Sequence, residues 1–211
     1  MINKYLQKLI KEIKITKVLL RSRSASNGMT YVELIVVLSI FSLLSSVAIY
    51  NYGDFQANVD IKNLGSDIGL KIVEAQKSSL SGILPPISFI YNPTTWKPSY
   101  GIYFDIATQN QFIYFVDINN FNGYEPGEEL ETIIITKNNY ISKIESYNGA
   151  SPTLITSPFS ITFKRPNSSA VFTGSNGLPL PSFDYMLITI SSPKGVTSLI
   201  RIYPSGRIQA N

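Results

Sequence analysis

Hydrophobic and polar positions change rhythm twice along this chain. Between residues 29 and 50, MTYVELIVVLSIFSLLSSVAIY, apolar residues run almost without a break; Glu33 is the single charge and neither Pro nor Gly intervenes. At a rise of about 1.5 Å per residue, a helix of that length crosses a hydrocarbon layer of about 30 Å. From Val59 to Ser79 the apolar positions fall on a helical stripe through Ile61, Leu64, Ile68, Ile72 and Ala75, with Asp60, Lys62, Asp67, Lys71 and Glu74 between them. Ser81-Gly82 and Pro85-Pro86 then supply stop signals. One helix from about residue 29 to about residue 80 is predicted, with Gly53, Gly65 and Gly69 as its weak points.

Past residue 87 the period becomes two. Strands are predicted over 87–91, 101–106, 111–117, 131–136, 141–146, 160–164, 170–173, 185–191, 197–203 and 207–209, separated by Gly, Pro and Asn clusters. A long helix followed by many short strands is an α+β order with antiparallel sheet. The segments are therefore a basic leader (1–28), an apolar helix (29–50), an amphipathic continuation (51–82) and a β-rich head domain (83–211).

Charge sharpens this division. The net charge is +4. Residues 1–28 hold Lys4, Lys8, Lys11, Lys14, Lys17, Arg21 and Arg23 against Glu12, a balance of +6, so residues 29–211 carry −2. The basic character belongs to the leader, which weakens any reading of the head as a nucleic-acid binder. Ile2, Leu6, Leu9, Ile10 and Ile13 recur between those lysines at helical spacing, as in a helix lying on a membrane face. The positive-inside rule puts the leader in the cytoplasm and residues 51–211 outside. His and Cys are both absent, which removes disulfides, thiolate metal sites, Cys nucleophiles and His-based acid–base chemistry.

The junction before the apolar run carries the sharpest signal. A secretory signal is cut after its apolar stretch, yet here the small-residue junction, Gly28-Met29, precedes it. Glu33 sits five positions past Gly28; a carboxylate at membrane depth costs roughly 2.5–3.5 kcal/mol and calls for a partner. Gly28-Met29-Thr30-Tyr31-Val32-Glu33-Leu34-Ile35 resembles the prepilin cleavage and methylation motif of type IV pilins and type II secretion pseudopilins. The resemblance implies cleavage after Gly28, N-methylation of Met29, an assembly role for Glu33, and a pilin fold whose helix packs on a sheet domain. "YGIYFD", "FSITFKRP" and "LIRIYPSGRI" are similar to the minor pseudopilins of the H/FimT type.

The implied partners are other pilins, the prepilin peptidase, an inner-membrane assembly platform and membrane lipid, with no direct nucleic-acid contact. The implied location is the cytoplasmic membrane, then a periplasmic or surface filament. The new Met29 amine would lie one helical turn from Glu33 and could reach the Glu33 of a neighbouring helix instead. Ser39, Ser42, Ser45, Ser46 and Ala48 offer small surfaces for close helix approach. The competing expectation is a single-pass anchored binding domain that never polymerises. No nucleophile motif or phosphate loop suggests an enzyme, and no cofactor is required.

One loop suggests a ligand. Asp117, Asn119, Glu125 and Glu128 stand at positions 1, 3, 9 and 12 of residues 117–128, near the spacing of a calcium loop, with Asn122 as a further oxygen donor. Phe121 and Gly123 depart from that pattern, and the alternative is a polar hairpin loop.

Overall fold

The computed structural model describes residues 29–86 and 99–211. The leader, the strand predicted over 87–91 and Trp96 lie outside them. The chain divides into two units, Met1–Tyr50 and Asn51–Asn211.

Helix α1 runs from Tyr31 to Ser81, 51 residues, and is helical through Gly53, Gly65 and Gly69. Thr30 caps its start: its Oγ accepts the Glu33 N–H at 3.2 Å and its carbonyl accepts the Leu34 N–H at 3.0 Å. Its end is a Schellman turn. Gly82 takes φ +63°, its N–H reaches the Ser79 carbonyl (3.1 Å), and the Ile83 N–H reaches the Ser78 carbonyl (3.3 Å).

In the first unit, the described residues from Met29 to Tyr50 are exposed throughout, apart from half-buried Ser45. The Ser39 hydroxyl donates to the Ile35 carbonyl (2.7 Å), which spares it an unmet polar group on an apolar helix. The helix is long and apolar enough to cross a membrane.

Among the described residues, the second unit holds ten strands in two five-stranded antiparallel sheets. The first sheet contains β1 (Ser99–Phe104), β2 (Gln111–Asp117), β3 (Glu129–Ile134), β6 (Phe159–Phe163) and β7 (Ala170–Gly174), in the order β3-β2-β1-β6-β7. The second contains β4 (Tyr140–Asn148), β5 (Ser151–Leu154), β8 (Tyr185–Ser191), β9 (Thr197–Ile202) and β10 (Ile208–Ala210), in the order β10-β9-β8-β4-β5. The α+β layout read from the sequence is present. Nine strands match predicted segments, and β5 was not anticipated.

One apolar cluster joins the helix to both sheets. Ile61, Ile68, Ile72 and Ala75 are fully buried, at spacings of seven, four and three, so they form a single helical face. They share a core with Tyr100, Ile102 and Phe104 of β1, Ile141 and Ile144 of β4, and Ile188, Ile200 and Ile202 of β8 and β9. Val59, expected on this stripe, is only half-buried, and Leu70 on the opposite face is exposed.

Polar bonds fix the register of helix on sheet. Ser79 donates to the Phe163 carbonyl (2.5 Å), and the Tyr114 hydroxyl donates to Ser78 Oγ (3.1 Å). Gln76 Nε2 donates to the carbonyls of Ser168 (2.7 Å) and Gly206 (3.2 Å). Gly65 is buried, and the helix meets β9 closely there. A Cβ on it would fall inside 3.0 Å of Ser198 Oγ and 3.3 Å from Ser198 Cβ. Gly65 is thus a packing requirement of β9, a role that differs from the expected weak point.

Candidate functional site

Two places carry the residues singled out by sequence. The first is the start of α1. Gly28 lies outside the described residues; Met29 and Glu33 are exposed. Glu33 occupies the first helical turn, and its carboxylate has no hydrogen bond or ion pair among the described residues. At that position it faces the positive end of the helix dipole, worth about 0.3–1 kcal/mol in water. Thr30 was missed as a contributor, although Thr-x-x-Glu before an apolar run is a legible capping signature. It sets the first helical residue at Tyr31 and so fixes Glu33 within the opening turn.

The second place is the loop after β2. It lies back across the outer face of the first sheet instead of projecting as a plain hairpin. The Tyr124 ring packs at 4.6 Å from Tyr103 and edge-on at 5.6 Å from Phe115. Its backbone N–H donates to Ser160 Oγ on β6 (3.0 Å). The Asn122 carbonyl accepts the hydroxyls of Thr162 (3.4 Å) and Thr173 on β6 and β7. Gly101 makes room for this layer, since a Cβ there would lie 2.8 Å from the Phe115 ring.

This fold-back determines what the loop's acids do. Asp117 is 1% exposed and accepts the backbone N–H groups of Phe121 (3.0 Å) and Asn122 (3.1 Å), one on each oxygen. Glu128 is 4% exposed and accepts those of Ile118 (2.9 Å) and Glu125 (3.0 Å). Asn119 Oδ1 also accepts the Phe121 N–H (2.9 Å), and its amide donates to the Glu125 carboxylate. Asn120 and Asn122 turn the chain with φ of 65° and 72°, a conformation Asn tolerates. Lys164 Nζ reaches Asn120 Oδ1 at 2.6 Å.

Burial pushes the Asp117 carboxyl above its ordinary range, opposed by backbone hydrogen bonds and by Lys164. Burial likewise raises Glu128. Glu129 moves the other way, lowered chiefly because the Tyr124 hydroxyl donates to it at 2.7 Å. Asp117, Asn119, Asn122, Glu125 and Glu128 are therefore close in sequence but engaged with the loop's own backbone and with one another. No group of three or more acidic side chains suited to a metal ion occurs among the described residues. The arrangement is chemically a set of caps that closes the 118–128 excursion between β2 and β3.

Asp105 and Asp117 resemble an acid pair in the sequence, but antiparallel pairing separates them. Ser99 pairs with Asp117 and Phe104 with Phe112, so the two acids stand at opposite ends of β1 and β2. Asp105 instead caps a short 3-10 turn, accepting the Ala107 N–H at 2.8 Å. An apolar recess of about 290 Å³ is lined by Phe172, Leu180, Pro181, Phe183 and Pro204 and contains no ionisable group. No family model, no curated protein and no solved structure matches this chain.

Proposed function

We propose that this chain is a pilin-like structural subunit, a minor pilin or pseudopilin. It is made as a membrane precursor, trimmed after Gly28, methylated on Met29 and drawn into a filament of type IV pilus or type II secretion kind. The observation that carries this reading is the exposed apolar half of α1, which contains a single charge, Glu33, without a partner among the described residues. The hydrocarbon core of a bilayer can cover the apolar surface, but it cannot supply a counter-charge. A neighbouring helix with a freshly made N-terminal amine supplies both.

Glu33 then sets axial register, the apolar helix forms the filament core, and the β-rich unit stays outside the membrane. Catalysis is not assigned to this chain; the cut and the methyl transfer belong to the prepilin peptidase, and the pulling force belongs to the assembly platform and its cytoplasmic ATPase.

Mass spectrometry of the N-terminal peptide tests this directly. Chain from cells with active prepilin peptidase is expected to start at N-methyl-Met29. Retention of residues 1–28 in those cells overturns the proposal in favour of an anchored domain that never polymerises.

A further inference from the structure

A recess of about 160 Å³ opens where α1 meets the β3–β4 turn. Asp60, Asn63 and Asp67 line it from the helix, and Thr136, Lys137 and Asn139 from the turn. Asp60 is occupied, since Lys137 Nζ (2.7 Å) and Gln56 Nε2 (2.7 Å) both reach its Oδ1. Two lining groups are not. Asp67 has no ion pair or side-chain hydrogen bond among the described residues. Asn139 is 6% exposed, yet its side-chain amide makes no hydrogen bond among them either, and its polar atoms are not sealed from solvent. Burial withholds most water from such an amide, so a group that enters the recess and pairs with it gains what water does not supply.

The chemistry of that group follows from the lining. The Asp60 and Asp67 backbones stand two helical turns apart, about 10 Å along the axis, which is poorly suited to one shared metal ion. With Lys137 the two acids leave one negative charge. A flat monocation with several N–H donors fits best, because its fork can meet the Asp67 carboxylate and the Asn139 carbonyl oxygen together.

The opposite flank of the same unit carries such a group. At about 100° per residue, Asp60, Asp67 and Lys71 lie about 140–180° round α1 from Gly69 and Gln76. On that far flank a Cβ on Gly69 would touch Ile208 and Ala210 of β10, and Gln76 Nε2 donates to the Gly206 carbonyl (3.2 Å). Arg207, next to Gly206, is exposed and has no ion pair among the described residues. Its guanidinium lies 3.9 Å from the centre of the Tyr203 ring, which covers one face of the group and leaves its N–H edge free.

We infer that the recess receives the Arg207 guanidinium of a second copy of this chain. Hole and knob on opposite flanks make the contact heterologous, so copies standing side by side in one orientation can repeat it along a row. The contact uses the second unit alone and does not depend on removal of residues 1–28.

The chain has no Cys, so cross-links can be placed freely. Full chains carrying Asn63→Cys and Ser205→Cys, co-expressed and treated in isolated membranes with a short bis-maleimide, are expected to give a mixed dimer. Its yield should exceed several-fold that of Asn63→Cys paired with Ser157→Cys. Adding Asp67→Arg to the first chain should remove the dimer, and adding Arg207→Asp to the second should then restore it. A yield no higher than the control pair, indifferent to Asp67→Arg, or unrestored by the swap overturns the inference. A saturable rise in Tm with methylguanidine and no cross-link also overturns it, and makes the recess a small-ligand site instead.

Discussion

Two glycines four residues apart on α1 are expected to respond to alanine with opposite signs. In a helix interior, Gly→Ala gains about 1 kcal/mol of propensity. At Gly69 nothing opposes this gain: a Cβ would meet Ala210 Cβ and Ile208 Cγ2 at 3.8 Å, ordinary contact. At Gly65 the new methyl would fall inside 3.0 Å of Ser198 Oγ. That hydroxyl is buried and held by its bond to the Asn211 carbonyl (2.7 Å), so it moves only by giving up that bond.

A buried hydroxyl left unmet costs about 1–3 kcal/mol, and the 3.3 Å approach to Ser198 Cβ adds compression that no rotamer relieves. The net for Gly65→Ala is a loss of about 1–2 kcal/mol, and for Gly69→Ala a gain of up to about 1 kcal/mol. For a domain of this size 1 kcal/mol moves Tm by roughly 2–4 °C. Thermal unfolding of the full chain in detergent, followed by circular dichroism, should show Tm falling by about 2–8 °C for the first and rising by about 2–4 °C for the second. Adding Ser198→Ala to Gly65→Ala should recover part of the loss. If Gly65→Ala proves as stable as the parent, the helix does not approach β9 as described.

Other outcomes follow from the same contacts. Glu33→Ala should leave the unfolding of the second unit unchanged but exclude the chain from sheared filaments, because stranding one charge of a buried pair costs about 3–5 kcal/mol; undiminished incorporation in a filament pull-down refutes the register role. Asp117→Asn should destabilise the head by about 1–3 kcal/mol, since one oxygen acceptor becomes a donor facing a backbone N–H. Because burial raises Asp117 above 3.8, the folded state holds its proton more tightly than the unfolded chain. The part of the parent's stability that rests on Asp117 is therefore fully present in acid and falls as pH rises through the raised value, a decline that denaturant titrations of the parent should follow. With Asp117 and Glu128 already occupied by N–H donors, millimolar calcium should move Tm by less than about 1 °C, and a saturable rise would establish the loop as a binding site.

Local chemistry was legible in the sequence, while long-range placement was not. The helix end at Gly82 and the limits of β2 and β8 are set by signals within a few residues, and they could be read directly. The partition into two sheets depends on pairings such as Ile144 with Ile188, which no local pattern encodes. Strand β5 contains Pro152 and is exposed at all four positions, so it reads as a turn; it persists as an edge strand on β4, where Pro is tolerated. The 117–128 loop has the residue spacing of a cation site, yet its acids accept the loop's own backbone N–H groups. Its fold-back onto the sheet also uses Ser160, which accepts the Tyr124 N–H, and the space that Gly101 leaves beside Phe115. At the helix start, Glu33 stands out as an anomaly, and the Thr-x-x-Glu spacing makes Thr30 legible as the cap that the 3.2 Å bond shows.

The stripe from Ile61 to Ala75 sits in the same cluster as the inner faces of both sheets. A soluble fragment for crystallisation should therefore begin before Ala57 and keep everything to Gly82. A fragment starting at the first strand would bare Tyr100, Ile144 and Ile200 at once and should accumulate in inclusion bodies, however well its strands are chosen.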